Sequence, residues 1–156
     1  MKTITASSVE QVEHDSSSLD KKYTIIRSTD PADSIKMIPW FTMTYQSRED
    51  SYIEVRERMT YDPDHTCLCL ILDGEEVKGI GLTYGRKEDA FIWEAHADQS
   101  VPRSVVDEAL ELMMDWARSM GYEKIFGKPN RAPKIWVRRW GFKISDDDIT
   151  EVYKEL

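Results

Sequence analysis

Residues 103–145 restrict the fold more than any other stretch of the chain. They read as a strongly apolar helix, a short strand, a second helix rich in Arg and Trp, and a Trp-Gly-Phe closure before a further strand. Over 103–120, Val106, Ala109, Leu110, Met113, Ala117 and Met120 fall on one helical side, flanked by Val105 and Trp116. Asp107, Glu108 and Glu111 lie in the N-terminal half and Arg118 near the end, the signs that the helix dipole favours. Gly121 suits the position just past the helix. Lys124–Gly127 reads as a strand, and Pro133–Trp140 as a helix with Ile135, Trp136, Arg139 and Trp140 at helical spacing. Gly141 ends that helix, and Phe142-Lys143-Ile144 opens the next strand.

Upstream, Tyr23–Arg27 is β-branched and predicts a strand, ended by Ser28-Thr29-Asp30-Pro31. Asp33 or Ser34 can cap the helix that follows. Pro39 interrupts it, and Trp40, Phe41 and Tyr45 load it with aromatic surface. A second helix is predicted near 49–60, with Tyr52, Val55 and Met59 on one stripe. The middle of the chain predicts an antiparallel meander. Thr66–Leu72 is a near-continuous apolar run, as in a strand buried on both faces. Asp73-Gly74 favours a tight turn. Val77–Tyr84 returns, with Gly79 and Gly81 marking a bulge or a close backbone approach. Ala90–Ala97 is the third strand, and Thr150–Lys154 alternates as a final edge strand. Residues 1–21 are Ser-rich with few large apolar side chains and predict a flexible tail. The folded domain is thus expected over 22–156.

Of the 156 residues, 40% are apolar, enough for one globular domain with a core. The net charge of −8 argues against general nucleic-acid binding. No apolar run approaches the ~20 residues that span a bilayer, and the polar N-terminus lacks the apolar core of a secretory signal. A cytoplasmic protein is expected. Lys124, Lys128, Arg131, Lys134, Arg138, Arg139 and Lys143 run without an intervening Asp or Glu. That run is either a solvated helix face or a local anion site. Cys67 and Cys69 alternate on one strand, so both thiols point the same way, too parallel for an easy disulfide. With three histidines and no Cys-x-x-Cys, no metal site is expected. Buried reduced thiols are.

The order β-α-α-β-β-β-α-β-α-β-β resembles the GNAT N-acetyltransferase superfamily over roughly residues 22–156. The local motifs that carry the resemblance are Asn130 followed by Trp140-Gly141-Phe142, and the Leu72–Gly79 hairpin. It implies an α+β fold, a mixed central sheet of about seven strands flanked by four helices. It also implies acetyl-CoA as cofactor, held in a gap between the strand at 90–97 and the strand at 124–127. Its pyrophosphate would sit on backbone N–H groups at the start of the helix at 103. The family pattern there is Gln/Arg-x-x-Gly-x-Gly/Ala. Here it reads Gln99-Ser100-Val101-Pro102-Arg103-Ser104, so Gln99 fits, Pro102 replaces a glycine and offers no N–H, and Ser104 replaces the other. The alternative reading of this segment is structural, with Ser100 capping the helix and Pro102 in its first turn. Val137 stands where many members carry a tyrosine that protonates the leaving thiolate.

Strand alternation puts Ile92, Glu94, His96 and Asp98 on one face and Phe91, Trp93, Ala95 and Ala97 on the other. Glu94 or His96 is then the general base for an attacking amine, unless Glu94 pairs with an Arg or His96 is a satisfied core residue. By the resemblance, Ala95, Ala97, Gln99, Val101, Arg103, Ser104 and Asn130 hold the cofactor, and Asn130 otherwise caps its helix. Trp40, Phe41 and Tyr45 would line the pocket of the acceptor amine, a small molecule or a protein. Two functions follow: an acetyl-CoA-dependent N-acetyltransferase, or a non-catalytic GNAT-fold protein that binds a protein partner, as a phage virion or internal protein would. The exposed C-terminal edge and the five tryptophans leave room for a homodimer.

Overall fold

In a computed structural model, residues 13–15, 22–40, 48–129 and 133–156 are described. Among them, eight strands form one sheet, in the order β1-β2-β3-β4-β5-β6-β8-β7. The strands are β1 (Glu13–Asp15), β2 (Thr24–Ser28), β3 (Thr66–Asp73), β4 (Glu76–Arg86), β5 (Asp89–Ala97), β6 (Lys124–Gly127), β7 (Lys143–Ile144) and β8 (Val152–Glu155). All neighbours pair antiparallel except β5 and β6, which run parallel. The three residues of β1 lie within the stretch expected to be a tail, and they pair with β2. Without them the sheet has the seven mixed strands expected.

β3 explains why its sequence is so evenly apolar. Alternation sends Cys67, Cys69 and Ile71 to one face and Leu68, Leu70 and Leu72 to the other. On the first face lie α2 (Arg103–Ser119) and α3 (Lys134–Trp140). There Val105, Ala109, Leu112, Met113 and Ala117 pack with Ile25, Ile125 and Val152. On the second face lie a 3-10 helix (Pro31–Trp40) and α1 (Arg48–Tyr61), whose Met37, Val55 and Met59 close a separate core. Burying a Leu or Ile side chain is worth about 1.5–3 kcal/mol, so a strand covered on both faces anchors the whole sheet.

The 3-10 helix begins earlier than the sequence suggests. Asp30 is its cap, accepting from the Ala32 N–H at 3.0 Å. Asp33 and Ser34 are buried within the helix instead. Asp33 accepts from the Ser28 hydroxyl at 2.6 Å and pairs with Lys36 at 3.0 Å. The segment runs on through Pro39 to Trp40 and is not broken at the proline, although Pro39 has no N–H to give it.

Both glycines singled out in β4 mark close approaches. A Cβ on Gly81 would meet Met113 Sδ at 2.7 Å, and one on Gly79 would meet the His96 carbonyl at 3.0 Å. The ladder slips by one residue beside Gly79, between Ile71 and Leu72. Cys67 and Cys69 are free and fully buried, as expected. Burial pushes the Cys67 thiol up to about 12, with Arg27 opposing it, and raises Cys69 as well. No described helix is long and apolar enough to cross a membrane.

Candidate functional site

The site begins where β5 and β6 part. Their pairing runs Asp89↔Lys124, Ala90↔Ile125, Phe91↔Phe126 and Ile92↔Gly127, and ends there among the described residues. β5 continues for five more residues, to Ala97. Phe91, Phe126 and Tyr153 stack across three strands at 5.3 and 5.8 Å and fix the closed end of the wedge. Above them a cleft of about 1170 Å³ opens, bounded by β5, the Lys128-Pro129 turn, α3, and Trp40 and α1.

A bulge sits at the point of divergence. Leu82 of β4 faces Glu94, and Thr83 faces Ile92, so Trp93 is one residue more than the β4 register matches. The bulge corrects the predicted alternation. Ile92 belongs to the core under α2, whereas Glu94 and His96, opposite Leu82 and Ile80, belong to the other face. Ala95 and Ala97, opposite Gly81 and Gly79, face α2. The extra residue shifts the period by one, and all later side chains exchange faces.

Glu94 and His96 do come together. Glu94 Oε1 lies 2.6 Å from His96 Nε2, with the Glu94 side chain 10% exposed and His96 23% exposed. The partner of Glu94 is thus the histidine rather than an arginine. Both line the cleft on the side of Trp40, Ser51 and Glu54. Phe41, Tyr45 and Asn130 lie outside the described residues.

At the end of β5, the Asp98 N–H donates to the Lys78 carbonyl at 2.8 Å. Backbone alternation therefore turns the N–H and C=O of Ala95 and Ala97 away from β4, toward the edge that β6 leaves open. Asp98 Oδ1 accepts from both the N–H and the hydroxyl of Ser100, each at 2.9 Å, which holds its carboxyl below the usual range. This local turn occupies Ser100, so Ser100 does not cap α2. Pro102 is the N-cap, extended at φ −60° and ψ 149°, with no side-chain cap bond. The first amides beyond it belong to Arg103 and Ser104, and a helix supplies no internal acceptor for them. Val101 is buried beneath the turn, and Gln99 is exposed at the cleft rim.

On α3, the cleft is lined by Ile135, Trp136 and Arg139, while Val137 is 37% exposed. Helical spacing had grouped Trp136 and Arg139 on one stripe, and that stripe turns to the site. Arg139 pairs with Asp107 at 3.1 Å and donates to the Arg103 carbonyl at 3.1 Å. The Trp140 indole donates to Asp107 at 2.7 Å. These bonds tie α3 to the first turns of α2. Of the remaining basic run, Lys128 pairs with Asp148 at 3.3 Å, and Lys154, beyond it, donates to the Trp140 carbonyl. No group of three His, Cys, Asp or Glu is placed to hold a metal among the described residues.

A parallel pair that separates behind a bulge, between two helices on one face and two on the other, decides the architecture. The chain has the GNAT fold. Solved structures bear this out. An acetyltransferase of the GNAT family from Staphylococcus aureus Mu50 superposes with a TM-score of 0.67 at 12% identity, covering 86% of this chain and 99% of that one. An acetyltransferase from Streptococcus agalactiae 2603 gives 0.66 at 14%, covering 87% and 99%. Glucosamine-6-phosphate N-acetyltransferase from Arabidopsis thaliana gives 0.61 at 17%, covering 80% and 93%. At such identities the likeness is one of fold alone. No family model and no curated sequence matches the chain. β5 and β6 are the strands at which the resemblance placed its gap, and in this chain they part beyond Ile92.

Proposed function

We propose that the chain is an acetyl-CoA-dependent N-acetyltransferase acting by direct attack of an amine on the thioester. The reading is carried by one observation: the sheet opens beyond Ile92, with the Glu94–His96 pair on one side and the first turn of α2 on the other. The residues present fit the cofactor. Ala95 and Ala97 offer strand-edge backbone groups to an extended pantetheine arm. Arg103 and Ser104 offer helix-start amides to the pyrophosphate, with Gln99 and Val101 shaping the turn below. Acetyl-CoA, when bound, would supply the activated acyl group as its thioester.

The remaining chemistry belongs to the chain. Glu94 and His96 act as one acid–base unit that takes the proton of the attacking amine. The carboxylate orients the ring and stabilises the charge that it acquires. Trp40 and Trp93 form the apolar wall against which the acceptor lies. Val137 has no proton to give, so the departing thiolate is protonated by the Glu94–His96 pair or by water.

A specific observation favours a second reading, a non-catalytic GNAT-fold binding protein. Pro102 has no N–H for a phosphate, and each such charge-assisted bond lost is worth ~1.5–3 kcal/mol. Thermal melting with millimolar acetyl-CoA separates the two. Ligand at about 100 times its dissociation constant adds about 2.7 kcal/mol. A raised melting temperature with CoA release over a panel of amines supports the enzyme. Neither effect leaves the binding protein.

A further inference from the structure

We infer that the donor site is shaped for acyl chains longer than acetyl, an inference that rests on the acyltransferase reading above. A second space of about 160 Å³ lies between the sheet and α2. It shares Ile92, Ala95, Ala97, Val106 and Trp136 with the main cleft, so the two spaces adjoin along the open edge of β5. Beyond that shared wall it is bounded by Ile71, Ile80, Ala109, Leu110 and Met113. Among the described residues, no Asp, Glu, Lys or Arg lines it.

The residue types explain the void. Alanines at 95, 97 and 109 and glycine at 81 line the layer between β4–β5 and α2. Larger side chains at the three alanines would fill it, whereas Gly81 already lies against Met113. An apolar space of ~150 Å³ accommodates a six-carbon molecule such as benzene. An acetyl group carries one methyl and leaves such a space vacant, which forfeits packing. A chain of four to six carbons, starting at a carbonyl held beside Ala95 and Ala97, fits its volume and its polarity. The transfer itself is unchanged: the C–N bond to the amine forms, the thioester C–S bond breaks, the amine's proton passes to the Glu94–His96 pair, and the departing thiolate takes a proton from that pair or from water and leaves as the thiol.

The test is a titration of the full chain with free CoA and with acetyl-, butyryl-, hexanoyl- and decanoyl-CoA, followed by calorimetry. Each added methylene is expected to tighten binding about fourfold up to hexanoyl, the ratio for burying one CH₂, and decanoyl is expected to gain nothing more. Equal affinity for acetyl- and hexanoyl-CoA overturns the inference and leaves the acyltransferase reading standing. So does a gain that climbs unbroken to decanoyl, which marks a greasy surface rather than a bounded pocket. No binding of any thioester or of CoA removes both. Leu110→Phe, which narrows the pocket from the α2 side, is expected to lower the hexanoyl-to-acetyl affinity ratio at least tenfold. An unchanged ratio in that variant also overturns the inference.

Discussion

The two halves of β5 have opposite designs. From Asp89 to Ile92 the strand is paired on both edges, and its side chains are locked in aromatic stacks and in the α2 core. From Trp93 to Ala97 it is paired only with β4, carries an extra residue, and bears two titratable side chains within hydrogen-bond reach of each other. The contrast shows how a sheet builds a site without a loop. The closed half supplies rigidity, and one inserted residue re-aims the open half toward a cleft.

If the open half serves chemistry and the closed half stability, substitutions should separate the two. The largest effect is expected from Glu94→Gln combined with His96→Ala. Loss of general base catalysis lowers turnover about 10²–10⁴-fold, while the melting temperature of the unliganded protein hardly moves. Unchanged turnover would show that the pair is a structural contact. In the closed half, Ile125→Ala should destabilise by about 2–5 kcal/mol in urea titration, because Ile125 is fully buried between β5, β8 and α2. Activity per folded molecule should persist.

Gly85→Ala tests the closed end more finely. A Cβ there collides with the buried Tyr122 hydroxyl, so a loss of about 1–3 kcal/mol is expected from overpacking. Alkaline pH acts on the sheet's core through the two thiols of β3. Cys67 has its ordinary value of 9.0 when unfolded and about 12 when folded, so its stabilising contribution is whole below pH 9. Above pH 9 the unfolded chain releases the proton first, and stability falls by roughly 1.4 kcal/mol per pH unit per thiol. Urea midpoints at pH 8, 9 and 10 check this, and a Cys67→Ser variant should flatten the slope. The smallest effect belongs to the open half. Asp98 has its carboxyl lowered by the two Ser100 bonds, so its contribution is present above its ordinary 3.8 and is lost as pH falls through the lower folded value. Asp98→Ala should remove that acid-side dependence without changing the alkaline limb.

Much of this architecture could be read from residue order. The even apolarity of Thr66–Leu72 announced a strand covered on both faces, and the Met-rich stripe of 103–120 announced the helix that covers one of them. The pairing of Glu94 with His96 was also legible, because residues two apart on a strand share a face. The face itself was not. A period-two pattern carries no mark of an inserted residue unless a partner strand reveals it, and Trp93 suits either face. The helix cap at Asp30 and the turn that engages Ser100 were missed for a similar reason. Asp, Ser and Pro crowd both segments, and several local hydrogen-bond schemes compete there.

The sequence alone determined the succession of elements, the two-sided burial of β3 and the reduced state of its thiols, since these follow from local periodicity and composition. Only the tertiary structure decided where β5 and β6 separate, which face Glu94 and His96 occupy, and that an apolar pocket adjoins the cleft. Those depend on register between strands far apart in the chain, and register is set by the packing of the whole sheet rather than by any one segment.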